Sequence, residues 1–500
     1  MEQKELNKLL WDAANSSRGT VDSSIFKDYS LTLLFYKYLS DMHEVELEEL
    51  KKQYGNDNDR IQAKKNYMRY KIPDGATFNE VLQQMQNENL GEIINNALLK
   101  IEEVNKPMLN DIFTVDFNNA SILGDTTQRN QMLKNLLSDF AKVDLKNIGK
   151  TDLLGKAYMY LIKQFASDTG KKAGEFFTPD SVSILVSKLA MPKEGNRICD
   201  PTCGSGSLLL RVGDEVGSNN FSLYGQEKIG STYNLARMNM FIHHHEQATL
   251  YRGDTLLDPQ LKDENGLMHF DVVVANPPFS LDKWGRENLE EDIYNRFHRG
   301  LPPKGTGDYA FISHMVETAK DKSGRVAVVV PHGVLFRGSS EGIIRKSLID
   351  ENILDAVIGL PAGLFQTTGI PVAILIFDKS RQQGGANENR KDVLFIDASR
   401  EFISEKTTNE LSDEHINKIY ETYKNRKEIE KYSKKADYEE IVANDYNLNI
   451  PRYVDTFEEE EEINLDEVVS KIEKLSAEEK EVDNIIKDFC NELGIKAPIV

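Results

Sequence analysis

Two short segments combine strand ends with residue types suited to binding a nucleotide and a planar amine. In the first, Asp200-Pro-Thr-Cys-Gly204-Ser205-Gly206-Ser207, a strand ends at the aspartate, a glycine turn follows, and a helix begins near the last serine. Glycines let the backbone approach a ligand closely, and a helix N-terminus offers unpaired N–H groups. The segment lacks the full G-x-G-x-x-G pattern, so by itself it is weak evidence for an adenosine-type cofactor.

An acidic residue at the end of the next strand strengthens that interpretation. Glu227 ends the run YGQE. In doubly wound nucleotide-binding folds, an acidic residue at the end of this strand binds the ribose hydroxyls. The alternative is a surface carboxylate with no ligand.

The second segment runs from a buried strand, Asp271–Ala275, into Asn276-Pro277-Pro278-Phe279. Prolines have a restricted φ and hold their carbonyl groups fixed in space. The Asn276 side-chain carbonyl and a proline carbonyl can together accept both hydrogens of an exocyclic amine, while Phe279 offers a flat face for a heterocycle. Such a site suits a base drawn out of its stack, and the alternative is a strand-ending turn with a packed phenylalanine.

The elements around these segments predict an α/β fold. Short apolar runs recur between helical stretches: NRICD, FSLYGQE, ATLYRGD, FDVVVANPP, GRVAVVVP, LDAVIGLP, PVAILIFD and DVLFIDAS. Continuous apolar strands suit a sheet buried on both faces, which indicates a mostly parallel, doubly wound, Rossmann-like domain. We place this domain at residues 151–400, after an N-terminal helical bundle at 1–150 and before a C-terminal helical region at 401–500.

Composition limits the partners of the chain. Its 61 basic and 81 acidic residues give a net charge of −20, the wrong sign for gripping nucleic acid over a broad surface. A local basic groove or a partner subunit must supply much of any DNA affinity. No apolar run approaches the length of a membrane span, the start does not resemble a secretion signal, and three scattered cysteines do not form a disulfide framework. We therefore expect a cytoplasmic protein without a membrane partner.

DPTCGSG followed by NPPF resembles the S-adenosylmethionine-dependent N6-adenine DNA methyltransferases. GEFFTP at residues 174–179 precedes the cofactor loop, as in the members with a permuted motif order. The chain is more closely similar to the modification subunits of type I restriction–modification systems. The similar segments span nearly the whole sequence and include LWDAAN, GDYAFISHM, GRVAVVVPHGVLFRGS, GLFQTTGIPVAILIF and YNLNIPRYVD.

This resemblance implies a role for each matching cofactor residue. The methionine end of S-adenosylmethionine would be held by Glu175, Phe176, Phe177, Thr178 and Pro179. The same end and the sugar would be wrapped by Asp200, Gly204, Ser205, Gly206 and Ser207. The ribose would bind Glu227, and the cofactor adenine would contact Asp254 in RGDTL.

The resemblance also implies how the target adenine is held. The catalytic residues would be Asn276, Pro277, Pro278 and Phe279, of which the first two accept hydrogen bonds from the N6 amine and the last stacks on the flipped base. Direct transfer needs no covalent intermediate, so neither Cys199 nor Cys203 is required as a nucleophile. No metal is expected, because the three histidines at 243–245 cannot share one helical face.

Partners follow from the same resemblance. The family assembly acts on double-stranded DNA, holds two modification chains per specificity subunit, and can add a restriction subunit. The region after residue 400 is helical and acidic, which makes it a poor reader of DNA sequence and a candidate for docking on the specificity subunit. Two alternatives stay open: a protein-glutamine methyltransferase, which also uses an Asn-Pro-Pro-aromatic motif, and a catalytically silent assembly subunit.

Overall fold

The polar motifs meet because the strands that carry them are neighbours in one sheet. The computed structural model describes residues 2–15, 22–148, 153–169, 178–289, 292–365, 369–404, 408–456 and 465–498. The strands are β1 Arg197–Asp200, β2 Ser222–Glu227, β3 Thr249–Arg252, β4 Lys262–Asp263, β5 Gly266–Leu267, β6 Val272–Ala275, β7 Arg325–Pro331, β8 Leu354–Gly359, β9 Val372–Asp378, β10 Val393–Asp397, β11 Ile403–Ser404, β12 Asn409–Glu410 and β13 Ser433–Ala436.

Within the described residues, nine of these strands form a single sheet in the order β13-β10-β8-β9-β7-β6-β1-β2-β3. Strands β3, β2, β1, β6 and β7 are parallel, as are β8 and β10, while β9 and β13 run antiparallel to their neighbours. Chain order reverses at β1, because β2 lies on one side of it and β6 on the other. Ligands of doubly wound sheets bind outside the carboxyl ends of the strands at such a reversal. The predicted fold class, and each of the eight predicted strands, is confirmed.

Helices cover both faces of the sheet. Those packed around the sheet are α9 Asp180–Ala190, α10 Ser207–Glu215, α11 Gly230–Ile242, α12 Asp308–Thr318, α13 Gly333–Phe336, α14 Ser339–Asp350, α15 Asp413–Lys424 and α16 Tyr438–Ala443. One apolar cluster joins α9, α10 and α15 to the sheet, and another joins α12, α14 and α16 to it. Burial on both faces explains why the central strands are continuously apolar.

The N-terminal helices pack around one core, to which each of them except the third contributes apolar residues. They are α1 Gln3–Asn15, α2 Ser23–Tyr54, α3 Asn58–Lys65, α4 Phe78–Gln83, α5 Leu90–Val104, α6 Ala120–Leu123, α7 Thr126–Ala141 and α8 Leu153–Thr169. Leu154, Tyr158 and Leu161 of α8 lie in this core, as do Leu235 and Phe241 of α11. The helical part therefore includes α8, beyond the expected limit at residue 150. It packs on the part of the chain that carries the sheet through α11.

The C-terminal part of the chain divides at a different point from the expected limit at residue 400. One compact unit runs from Met1 to Val454, and a second comprises Asp455–Val500. Residues 413–454 join the first unit: α15 packs on α9, and β13 extends the sheet. YNLNIPRYV belongs to the same core, where Tyr453 stacks on Phe395 at a centroid distance of 3.9 Å. The second unit contains α17, Leu465–Glu492.

A buried ion cluster fastens residues beyond 400 to the sheet. Asp355, 1% exposed, accepts hydrogen bonds from Arg381 at 2.8 Å, Arg426 at 2.7 Å and the Tyr423 hydroxyl at 2.6 Å. Burial alone would raise the pKa of Asp355, but the two guanidinium groups more than offset it and hold the pKa below its ordinary value.

We expect Asp355→Asn to lower the free energy of unfolding by about 3–5 kcal/mol, because it leaves buried guanidinium groups uncompensated. Urea denaturation at neutral pH measures this loss. The pKa of Asp355 is lower in the folded than in the unfolded chain. The ionised carboxylate therefore adds to the free energy of unfolding at neutral pH, and this stabilisation is lost as the pH falls through the acid range. Asp392→Asn is the matched control: it removes a partner of the same Arg426 at a more exposed site and should cost about 1 kcal/mol or less. An equal loss in both variants would contradict the assigned role of Asp355.

Within the described residues, no helix has the length and apolar character needed to cross a membrane.

Candidate active site

The glycine loop after β1 folds back on the end of β2. Gly204 and Gly206 adopt positive φ angles of 54° and 76°, which favour glycine, and α10 begins at Ser207. The Ser205 carbonyl accepts a hydrogen bond from Asn239 Nδ2 of α11 at 2.9 Å, and the Ser205 and Ser207 hydroxyls lie 3.4 Å apart. The predicted strand-turn-helix is therefore present, and α11 fixes the turn. Sequence patterns did not single out Asn239.

Glu227 at the end of β2 is tied to this loop. One carboxylate oxygen accepts the Gly204 N–H at 3.0 Å, and the other accepts the Ile229 N–H at 2.7 Å. A carboxylate has about four acceptor positions and can accept several donors at once, including hydroxyl groups. The side chain is mostly buried and lines a cavity, which disfavours the alternative of a surface carboxylate.

Asp200 at the end of β1 lies fully buried beneath the loop. Its carboxylate accepts the Thr202 N–H at 2.9 Å. Burial raises the pKa of Asp200 to about 7; the Thr202 N–H opposes this rise and the Glu227 carboxylate adds to it. A cationic ligand nearby would favour the charged form. Burial and the neighbouring Asp200 also raise the pKa of both the Cys199 and the Cys203 thiols, which keeps them uncharged.

Asp254 follows β3 on the next strand outward. One carboxylate oxygen accepts the backbone N–H groups of Leu256 at 2.9 Å and Leu257 at 3.1 Å. The other pairs with the exposed Lys228 ammonium at 2.9 Å. The Lys228 side chain is 70% exposed, so a ligand donor can compete with it for this oxygen at little cost.

Asn276, which follows β6, is oriented by Thr178 of the GEFFTP segment. Its Nδ2 donates to Thr178 Oγ1 at 3.3 Å, a contact between residues 98 positions apart. Asn276 Oδ1 is buried and has no hydrogen-bond partner within the described chain. A buried acceptor left unpaired costs roughly 1–3 kcal/mol, so a donor from a ligand would be favoured there.

Thr178 and Pro179 are the described part of GEFFTP. Thr178 is buried, and Pro179 directly precedes α9, where its carbonyl accepts the Ser183 N–H at 2.9 Å. Glu175, Phe176 and Phe177 lie outside the described residues.

One cavity of about 290 Å³ is lined by four of the predicted site residues, whereas Asp200, the glycine loop and Phe279 do not line it. These four are Glu227, Asp254, Asn276 and Pro278, and Pro201 and Thr202 also line the cavity. Its size is at the lower end of small-molecule sites. Two carboxylates and the unpaired amide oxygen of Asn276 suit a ligand rich in hydroxyl and amine donors, so these residues fit an adenosine-containing cofactor. Ser207 instead lines a separate cavity of about 240 Å³.

Phe279 has an aromatic neighbour that sequence patterns did not reveal. Its ring meets Phe365 edge to face, with centroids 5.5 Å apart and an interplanar angle of 72°. Phe365 belongs to GLFQTTGIP, a segment similar to the family for which the sequence predicts no role in the site. Both rings are partly or wholly covered by the apolar cluster below the sheet edge.

We call Asn276-Pro277-Pro278-Phe279 the target motif. The backbone that follows it is held by a residue of α12. Asp308 accepts the Ser280 N–H at 2.8 Å and pairs with Arg337 at 3.0 Å. Trp284 is buried, donates through Nε1 to the Pro303 carbonyl at 2.7 Å, and lines the cavity. Two residues between the target motif and α12, Leu281 and Trp284, therefore form part of the cavity wall.

The three histidines have different surroundings. His243 Nδ1 lies 3.0 Å from the Asn239 carbonyl, His244 Nδ1 lies 2.9 Å from an Arg69 nitrogen, and His245 packs on Phe221. Across the described ranges, no group of three or more His, Cys, Asp or Glu residues is arranged to hold a metal ion.

Two family descriptions match adjoining parts of the chain. The family described as N-6 DNA Methylase matches residues 149–462, and the HsdM N-terminal domain matches residues 6–140. The type I restriction enzyme MpnII methylase subunit of Mycoplasma pneumoniae is 32% identical, over 99% of this chain and 97% of that protein. The MjaVIII methylase subunit of Methanocaldococcus jannaschii is 33% identical, over 99% of this chain and 85% of that protein. These relatives disfavour the protein-glutamine methyltransferase alternative.

A solved structure agrees with both the sequence and the fold. The type I restriction-modification system methyltransferase subunit from Streptococcus thermophilus is 38% identical, covers 91% of this chain and 100% of that one, and superposes with a TM-score of 0.82. The resemblance stated from the motifs is confirmed. The chain therefore belongs to the N-6 DNA methylase family, and within it to the methylase subunits of type I restriction–modification systems.

Proposed function

We propose that this chain transfers a methyl group from S-adenosylmethionine to N6 of an adenine in double-stranded DNA. The observation that carries the proposal is the unpaired, buried Oδ1 of Asn276, a residue that lines the same cavity as Glu227 and Asp254. Glu227 would bind the ribose hydroxyls, Asp254 the cofactor adenine, and Asp200 with the glycine loop the methionine end. When bound, the cofactor supplies a methyl group activated by its sulfonium.

The chain itself positions the target amine. Asn276 Oδ1 and the Pro277 carbonyl accept the two hydrogens of N6, which favours a more sp³-like nitrogen and aims its lone pair at the methyl group. Thr178 holds the amide so that the oxygen, and not the nitrogen, faces the amine. Phe279, supported edge-on by Phe365, stacks on the extruded base. Orientation of this kind removes much of the entropic barrier to transfer.

Reconstitution tests this function. The full chain is assembled with its specificity subunit, supplied with labelled S-adenosylmethionine and duplex DNA, and the nucleosides are separated. We expect the label on N6-methyladenine. Label on protein glutamine, or on no acceptor, would contradict the proposal, and the second outcome would favour a silent assembly subunit.

The charged state of Asp200 makes cofactor binding depend on pH. The pKa of Asp200 near 7 and a cationic methionine end predict that affinity for S-adenosylmethionine rises with pH up to about 8 and falls by up to about tenfold per unit below 7. Calorimetric titration between pH 5.5 and 9 measures this dependence. Titration of the cofactor's own amine is common to all variants, so Asp200→Asn isolates the protein group: its profile should be flatter than that of the unchanged chain. Superimposable profiles would contradict the prediction.

We also propose that α17 docks the chain on the specificity subunit. Six apolar side chains of α17 follow the heptad spacing of a coiled coil, and each is at least 40% exposed. They are Leu465, Val468, Ile472, Leu475, Val482 and Phe489. A 28-residue helix is about 42 Å long, enough for a coiled coil of several heptads. Residues 455–500 hold 15 acidic residues and five lysines, so a basic helical partner is complementary.

The assembly we propose holds two such chains per specificity subunit in the cytoplasm and admits a restriction subunit. The specificity subunit chooses the DNA sequence, and the N-terminal helices help to close around the duplex. The net charge of −20 supports this division, because a partner must then supply much of the DNA affinity.

A further inference from the structure

The loop that carries Asp254 and the segment that follows the target motif are packed as one body. We name residues 253–258 the adenine loop and residues 281–289 with 292–307 the target-side segment. A small apolar cluster joins them: Leu256 of the adenine loop meets Trp284 and Phe297 of the target-side segment and Phe311 of α12. Leu256, Trp284 and Phe311 also line the cavity. The two walls of the cavity therefore share a core that is separate from the main apolar clusters.

A buried arginine spans the two walls. Arg296 is 1% exposed, and its guanidinium donates to the Thr255 carbonyl at 3.1 Å and the Leu256 carbonyl at 2.8 Å. Its Nε donates to Asp292 at 3.0 Å, within the target-side segment. One planar group thus fixes backbone atoms of the adenine loop relative to the segment beside the target base.

The electrostatic setting keeps this charge in place. Burial and the neighbouring Arg296 lower the pKa of His314 to about 3, so the imidazole stays neutral and its Nδ1, 3.3 Å from the guanidinium, can accept a hydrogen bond. An arginine remains charged at all physiological pH values. Asp292 and the two loop carbonyls therefore stabilise a permanent buried cation.

The link to Asp254 is direct. Its carboxylate is oriented by the N–H groups of Leu256 and Leu257, and Arg296 holds the carbonyls of Thr255 and Leu256 on the same turn. We propose that Arg296 is a positioning residue that aims Asp254 at the adenine of the cofactor and ties that contact to the target-side segment. This inference rests on the proposed function, since it assumes that the cavity binds the adenosine end.

Arg299 supplies a matched control in the same segment. It is also buried, but its guanidinium pairs with Glu317 of α12 at 2.5 Å and with Glu351 after α14 at 2.6 Å. It anchors the target-side segment to the helices, whereas the contacts of Arg296 include the adenine loop. A role limited to stability would make the two arginines equivalent.

The test compares Arg296→Gln, Arg296→Lys and Arg299→Gln in the full chain assembled with its specificity subunit. Calorimetry measures the Kd of S-adenosylhomocysteine, and thermal unfolding without ligand measures stability. We expect Arg296→Gln to raise the Kd about tenfold or more, and Arg296→Lys to raise it less, because one ammonium can still reach a loop carbonyl. Arg299→Gln should lower the unfolding temperature and leave the Kd within about twofold.

A second ligand reports on the adenine contact itself. An analogue of S-adenosylhomocysteine that lacks the exocyclic amine should bind the unchanged chain less tightly, and this penalty should vanish in Arg296→Gln. An unaltered Kd in Arg296→Gln, or an equal rise in Arg299→Gln, overturns the inference. If Arg296→Gln does not fold, an unaltered Kd in Arg296→Lys overturns it. Failure of the unchanged chain to bind S-adenosylhomocysteine refutes the proposed function and the inference that rests on it.

Discussion

Replacing Asn276 with alanine is expected to abolish detectable DNA methylation while leaving the affinity for S-adenosylmethionine nearly unchanged. The variant removes the buried Oδ1 acceptor that is unpaired in the described structure and that would bind the target amine. Loss of one preorganised group at a reacting centre costs roughly 10²–10³-fold, and loss of the lone-pair orientation adds to this. Methyl transfer from labelled cofactor in the reconstituted complex measures the rate, and calorimetry measures cofactor binding.

Thr178→Val is the companion variant. It keeps Asn276 but removes the hydroxyl that accepts from Nδ2, so that the amide can rotate. We expect an intermediate loss of kcat, smaller than that of Asn276→Ala, together with a weaker affinity for the cofactor, because Thr178 also belongs to the predicted site for the methionine end. If Asn276→Ala reduced cofactor binding as much as methylation, the side chain would belong to the cofactor site and its assigned role would be refuted.

Removing residues 456–500 is expected to eliminate stable association with the specificity subunit before it affects cofactor affinity. The deletion takes away α17 and its exposed apolar face, whereas the cavity lies wholly within the unit that ends at Val454. Co-purification and analytical ultracentrifugation measure association, and calorimetry on the truncated chain measures cofactor binding.

Point variants separate the apolar face from the charge of the helix. Ile472→Glu with Leu475→Glu places two carboxylates on the heptad face and should weaken association at least about 100-fold. Ser470→Glu with Ala477→Glu adds the same charge on the opposite face and should leave association within about threefold. Normal co-purification of the truncated chain would rule out docking through α17.

Position along the strands made the main site predictable from sequence. Asp200, Glu227 and Asn276 each lie at or just after the carboxyl end of an apolar run, and parallel strands align these ends along one sheet edge. The structure brings Glu227 and Asn276 to one cavity, as this argument requires. The roles of the individual residues remain predictions.

The C-terminal limit of the catalytic region was not predictable in the same way. Strand β13 has the sequence SKKA, which has no apolar alternation, because it pairs on one side only and lies at the sheet edge. Lysines are common on edge strands, where they discourage further pairing. A helical interpretation of residues 401–500 therefore missed the strand and the packing of α15 on α9.

The order of local patterns along the chain determined the fold class, the glycine loop and the identity of the target motif, because these depend on residues close together in sequence. Tertiary structure alone decided which distant groups complete the site: Thr178 on Asn276, Phe365 on Phe279, and Arg296 on the adenine loop. Each of these contacts joins residues about 40 to 100 positions apart. Their pairing is set by how helices and loops pack on the sheet edge, and a local pattern carries no signal of that packing.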